Sequence, residues 1–245
     1  DLFTNGCKFA FSGTLTDYKI EVGAGTNIIG SLLLDVNSSH GIRVFGSNVN
    51  IDYVSATSAI ETVGFGVRVE SKTAGEYLIN VNIQKIVTKN FISHTQLFCV
   101  KNSIIGAVEI DTFQTGLYFR DVQDTTINSV LAKTMFSGSE GGAGMNGVLV
   151  ESTVGDRTTN NVKIGRVYVK DSAEHGVRFG GLFTISNFHI DTVYTENTGA
   201  GVSATGGMGV KILGGNLNTP FRYHENITFG EVINVDCAVD KGVNN

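Results

Sequence analysis

Asp171, Glu174, His175, Arg178 and Glu196 form the densest group of ionisable side chains in this chain. Asp171 follows the alternating stretch Val167-Tyr-Val169, and Glu196 follows the similar Val193-Tyr-Thr195. The two acids are 25 residues apart. If that spacing is one winding of a repeating structure, their carboxyls stand about 5 Å apart, the separation used for retaining glycoside hydrolysis. Two like charges at that distance raise one pKa, which a general acid requires. One carboxyl would then protonate a glycosidic oxygen and the other act as nucleophile or base, with Glu174 as a third candidate acid. His175 and Arg178 would hold hydroxyl or acidic groups of the glycan. A solvated ion-pair face has the same composition, and that alternative stays open.

Other chemistry finds less support. His40, His94, His175, His189 and His224 lack the close spacing of a zinc site, and we expect no metal. Gly23-Ala-Gly-Thr-Asn-Ile-Ile-Gly30 is followed by no helix pattern, and no Gly-Lys-Ser/Thr phosphate loop occurs, so no cofactor is expected. Cys7, Cys99 and Cys237 are odd in number and spacing, which argues against a disulfide framework. Asn37-Ser-Ser39 and Asn226-Ile-Thr228 match the glycosylation pattern, as chance allows in a chain so rich in Asn, Ser and Thr.

The elements that must position these residues come from a repeated phrase. Gly41-Ile-Arg-Val44, Gly66-Val-Arg-Val69, Gly116-Leu-Tyr-Phe119, Gly147-Val-Leu-Val150 and Gly176-Val-Arg-Phe179 are one short alternating strand. Gln96-Leu-Phe-Cys99 and Gly201-Val-Ser-Ala204 read as weaker copies. A second phrase follows: Asn48-Val-Asn-Ile51, Asn80-Val-Asn-Ile83, Asn161-Val-Lys-Ile164 and Asn226-Ile-Thr-Phe229. A corner and a third short strand close each unit, as in Ile164-Gly-Arg-Val-Tyr-Val169. The mean period of about 27 residues is that of a solenoid. One unit cannot bury its own apolar face, but stacked units share a continuous core. The expected fold is all-β, a right-handed parallel β-helix of about 8–9 coils. An antiparallel sandwich would need hairpin turns between close alternating runs, and neither Asn5-Gly6 nor Asn146-Gly147 sits in such a place.

The alternation assigns faces. Residues one and three after each Gly point inward, and residues two and four point outward. Phe98, Tyr118 and Leu149 are thereby expected on consecutive outward rungs about 4.8 Å apart. Such an apolar stripe suits subunit contact, cover by a loop, or stacking of Tyr118 and Phe98 on sugar rings. Glu70, Arg120 and Glu151 form a second outward series that reads as a charge ladder. Two longer loops, Ser137–Met145 with Glu140 and Ser152–Asn160 with Asp156 and Arg157, could wall a site.

Composition sets outer limits. The 245 residues carry only 17% charged side chains, 31 Gly and 1 Pro, as suits many tight turns between fully hydrogen-bonded strands. A net charge of −5 with no Lys/Arg run disfavours nucleic acid and anionic membrane surfaces. The apolar run at 28–34 is far shorter than the roughly 18 residues of a membrane span. The first residues lack a secretory leader pattern, as a mature or excised product also would. No linker interrupts the repeat, so residues 1–245 read as one domain. Both ends lack a capping helix, so the chain reads as a fragment of a longer protein or as one whose ends are closed by partner chains.

The Gly-Val-Arg-Val and Asn-Val-Lys-Ile phrases, with irregular coils and Gly/Asn/Thr-rich corners, resemble the pectate-lyase-like superfamily of right-handed parallel β-helices. Within it the chain is most similar to bacteriophage tailspike and tail-fibre bodies, over about residues 10–240. The resemblance implies a homotrimer in the virion tail or outside the cell that binds, and often cleaves, bacterial surface polysaccharide. It makes Asp171, Glu174 and Glu196 candidates for the paired acids of a polysaccharide depolymerase, a hydrolase. The chain has no Trp, and Pro220 lies in no Arg-x-Pro-x-x-Arg motif, so calcium lyase chemistry is disfavoured. The leading expectation is binding with hydrolysis. The alternatives are a non-catalytic structural or receptor-binding shaft and a free microbial polysaccharide lyase or epimerase.

Overall fold

The computed structural model describes residues 2–11, 18–36, 40–135, 145–152, 157–181, 185–204, 210–217, 221–224, 231–233, 235–236 and 239–242. They form an all-β, right-handed parallel β-solenoid of roughly seven turns. Among the described residues every strand pairing is parallel, so the antiparallel alternative falls away. Val49–Val69, Val81–Phe98, Val100–Arg120, Asn160–Gly181 and Ser186–Ala204 run unbroken round corners, each joining strands on different faces.

Each turn lays down three strands, and each stacks on its counterpart in the next turn. The first sheet contains the Gly phrase: Ile42, Val67, Thr95, Leu117, Val148, Val177 and Val202 lie in one ladder. The second contains the Asn phrase: Ile51, Ile83, Ile105, Ile127, Ile164, Ile190 and Ile212 lie in another. The third ladder runs through Val54, Ile86, Val108, Val130, Val167 and Val193. Thr95 is a buried polar rung; the other side chains are buried and belong to one continuous apolar core. Phe188 sits edge-on to both Phe119 and Phe179, with centroids 5.8 and 5.3 Å away, so aromatic rings fill the centre of three turns.

The Gly that opens the first phrase is required by close approach between turns. A Cβ on Gly41 would stand 2.2 Å from the Gly66 carbonyl oxygen. The Asn that opens the second phrase has a different reason. Asn48, Asn80, Asn102, Asp124, Asn161 and Asn187 all take a positive φ, between 45° and 59°. Asn and Asp tolerate this region better than other side-chain-bearing residues. The same side chains bond from turn to turn: Asn80 donates to Asn48 at 2.9 Å and Asn161 to Asp124 at 2.7 Å.

One copy of the first phrase falls in a different place from that expected. Ser93 and Thr95 pair with Phe65 and Val67 on one side and with Thr115 and Leu117 on the other. His94 therefore occupies the Gly position, and the copy reads His94-Thr-Gln-Leu97. The shift is two residues, so Leu97 still points inward. The His94 ring is fully buried in the corner. Its Nε2–H donates to the Thr112 carbonyl at 2.7 Å, and its Nδ1 accepts from the Thr88 hydroxyl at 2.9 Å. Burial drives its pKa down to about 4.

Candidate functional site

The chain leaves the third sheet through a second row of positive-φ residues: Asn90, Thr112, Thr134, Asp171 and Asn197, at 63°, 60°, 69°, 57° and 52°. Asp171 is thus a corner residue with a conformational role. Its carboxylate accepts a hydrogen bond from the Asn197 amide at 2.7 Å. Glu196 lies one residue earlier, on the outer face of the third sheet, directly opposite Lys170. Its carboxylate accepts from the Lys170 ammonium at 2.6 Å and from the Tyr168 hydroxyl at 2.6 Å. These two donors hold Glu196 below the usual carboxylate range. The same contacts push the Lys170 ammonium and Tyr168 hydroxyl up.

The matched carboxylate pair expected from the 25-residue spacing does not form. Between Val177 and Val202 the turn is 25 residues, but between Ser172 and Thr198 it is 26. A register shift between Ser172 and His175 absorbs the extra residue. Asp171 therefore meets Asn197, and Glu196 meets Lys170. Glu196 gains two hydrogen-bond donors, and these lower its pKa. Glu196 is ionised, the opposite of what a general acid needs.

The rest of the ionisable group sits on the same corner. Glu174 pairs with Arg178 at 3.4 Å and approaches His175 at 3.7 Å. His175 donates from Nδ1 to Asn146 at 2.9 Å. An open depression of about 500 Å³ lies beside these residues, lined by Asp171, Ser172, Ala173, Asn197, Thr198 and Gly199. Its wall is built of small residues of mixed polarity; the Asp171 carboxylate and Asn197 amide bond each other there, and the Ser172 hydroxyl turns inward to the Met145 and His175 carbonyls. Among the described residues no group of three or more His, Cys, Asp or Glu is arranged to hold a metal ion. Glu140 and Asp156 of the two longer loops, and Pro220, lie outside the described residues.

The expected stripe of Phe98, Tyr118 and Leu149 is also corrected. Tyr118 pairs with Gln96 on one side and Leu149 on the other. Phe98 pairs with Arg120. It is only 3% exposed. The Arg120 guanidinium lies 3.9 Å from its ring centroid and that of Arg68 5.0 Å. Phe98 is thus a platform for two cations and cannot stack on a sugar. Tyr118 meets it edge-on at 4.8 Å and donates its hydroxyl to Glu151. Burial, and then Glu151, push the Tyr118 hydroxyl well above its usual range. The charge series does interact, but round a centre. Glu70 receives Arg68 at 2.6 Å, Arg120 at 3.4 Å and Arg43 at 3.7 Å.

Sequence reasoning put Asp171, Glu174, His175 and Arg178 in or just after one corner; Asp171 holds that corner's positive φ, and Arg178 lies on the first-sheet strand that follows it. It missed Tyr168, Lys170 and Asn197, which partner the two acids. The available signal was the outward position of Tyr168 and Lys170 within Val167-Tyr-Val-Lys170. No family model, curated protein or solved structure matches the chain. What repeat and coordinates establish together is an all-β parallel β-solenoid, consistent with the pectate-lyase-like superfamily.

Proposed function

We propose that this chain is a tailspike-like β-solenoid that binds bacterial surface polysaccharide at the corner between its third and first sheets, without cleaving it. The observation carrying this reading is the open depression of about 500 Å³ lined by Asp171, Asn197 and Thr198. An open, strand-held depression of mixed polarity, with a carboxylate–amide pair at its edge, suits a sugar, which presents both hydroxyl groups and apolar ring faces. Glu174, His175 and Arg178 extend the polar surface toward the first sheet. The preference for binding over hydrolysis rests on Glu196, whose carboxylate is held ionised by Lys170 and Tyr168 and so cannot serve as a general acid. The extracellular or virion-tail setting and the homotrimer come from the family resemblance and form part of this proposal.

The test is retention on a panel of immobilised bacterial surface polysaccharides, with release of reducing ends measured in parallel. Wild type should bind at least one glycan and release nothing. Asp171→Asn combined with Thr198→Ala should weaken retention. Cleavage by wild type that is lost in Asp171→Asn or Glu196→Gln would restore the depolymerase reading. No binding to any glycan, together with a stable oligomer by sedimentation, would favour the structural shaft instead.

A further inference from the structure

The outer face of the third sheet carries a second feature, next to the corner but separate from it. Glu109, Leu131, Tyr168 and Tyr194 occupy consecutive outward rungs. Ser129 and Arg166 lie side by side in the neighbouring outward column. Together Glu109, Ser129, Leu131, Arg166 and Tyr168 line a shallow depression of about 360 Å³. Its floor is apolar and aromatic. Strand residues hold it, so it is rigid before any ligand arrives.

The charges there are unequal. Glu109 is neutralised by Lys85 at 2.7 Å. Glu196 is neutralised by Lys170 at 2.6 Å, and it fixes the Tyr168 ring through the phenol. Arg166 stands over the Tyr194 ring at 5.2 Å, and among the described residues it has no carboxylate partner. Stacking on the ring steadies the guanidinium and leaves its fork of N–H donors open. One unpaired guanidinium beside an apolar floor matches a ligand with a flat apolar face and a carboxylate.

We propose that this depression binds an acidic sugar, with its carboxylate on Arg166 and its ring against Leu131 and Tyr168. The assignment rests on the glycan-binding reading and gives it a ligand class. The rungs repeat every ~4.8 Å along the axis, so a chain of such sugars would run parallel to the solenoid along this face.

The test is titration of the protein with glucuronate oligomers, their methyl esters and neutral glucose oligomers, followed by calorimetry and by amide NMR shifts. The acidic oligomers should bind and perturb amides around 129–131 and 166–168. Arg166→Ala should lose roughly tenfold or more in affinity, since a charge-assisted hydrogen-bond pair is removed. Arg166→Lys should fall between, because it keeps the charge and loses the fork. Both are outward substitutions, checked for folding by far-UV circular dichroism. Equal binding of esters or neutral oligomers, or unchanged affinity in Arg166→Ala, would overturn the acidic assignment and leave glycan binding standing. Equal binding of a polyglutamate peptide would overturn the sugar assignment. Failure of all the oligomers would reject this site, while the polysaccharide panel decides the corner site independently.

Discussion

The Asp171 carboxylate accepts its hydrogen bond from Asn197, the residue after Glu196, at 2.7 Å. Both residues hold the left-handed backbone that turns the chain out of the third sheet. The side chain is thus part of a turn-to-turn ladder. Asp171→Asn keeps both an acceptor oxygen and tolerance of positive φ. It should change stability by less than ~0.5 kcal/mol. Asp171→Val should cost about 1–3 kcal/mol, because a β-branched side chain is strained in that backbone region. Urea denaturation of the two variants checks the contrast, and equal midpoints would refute it.

His94 makes stability depend on acidity in a defined window. Its folded pKa is about 4, against about 6.5 for an unfolded His. Between these values the unfolded chain takes up a proton that the native corner excludes. Stability therefore falls as pH drops from 6.5 to 4 and is unaffected by this group above 6.5. The full loss is ~3 kcal/mol. His94→Gln should show a flatter stability profile across the window, read as Tm against pH. Parallel profiles for the two proteins would count against the assignment.

Glu196 raises the Tyr168 pKa through a direct hydrogen bond. Glu196→Gln should shift the Tyr168 titration to lower pH, because the phenolate no longer forms beside a carboxylate. Lys170 should move the same way. Ring-carbon NMR titration of the assigned Tyr168 resonance reports this directly. An unmoved midpoint would mean that the contact is absent in solution.

The glycine ladder of the first sheet predicts steric intolerance. A Cβ on Gly176 would stand 2.5 Å from both the Gly201 carbonyl oxygen and the Thr195 Cγ2. Gly176→Ala should force the turns apart at a cost of about 1–3 kcal/mol. Gly25 has open space but a φ of 71°, so Gly25→Ala tests backbone strain alone. Thermal unfolding of the pair separates crowding from conformation.

Parity was legible because side chains alternate with period two whatever the length of a corner. That is why Ile42, Val67, Leu117, Val148 and Val177 could be assigned to the core before any coordinates. Register between turns was less legible. The first-sheet copy that lacks Gly hid behind His94, so Phe98 was placed two residues from its true rung. Parity survived, which put Phe98 on the outer face, but its actual neighbours are Arg120 and Arg68. A guanidinium can cover a ring from an adjacent turn, and nothing within one repeat records that.

The amino-acid pattern alone determined the spiral, its inward ladders and the corner that gathers Asp171, Glu174, His175 and Arg178. Only the tertiary structure decided which side chains touch across turns. The extra residue between Ser172 and His175 set Asp171 against Asn197 and Glu196 against Lys170. A corner can take up one residue while the strands on either side keep their pairing. Spacing counted along the chain therefore gives the right turn but leaves the neighbour uncertain by one position, which is enough to exchange a carboxylate for an amide or an ammonium.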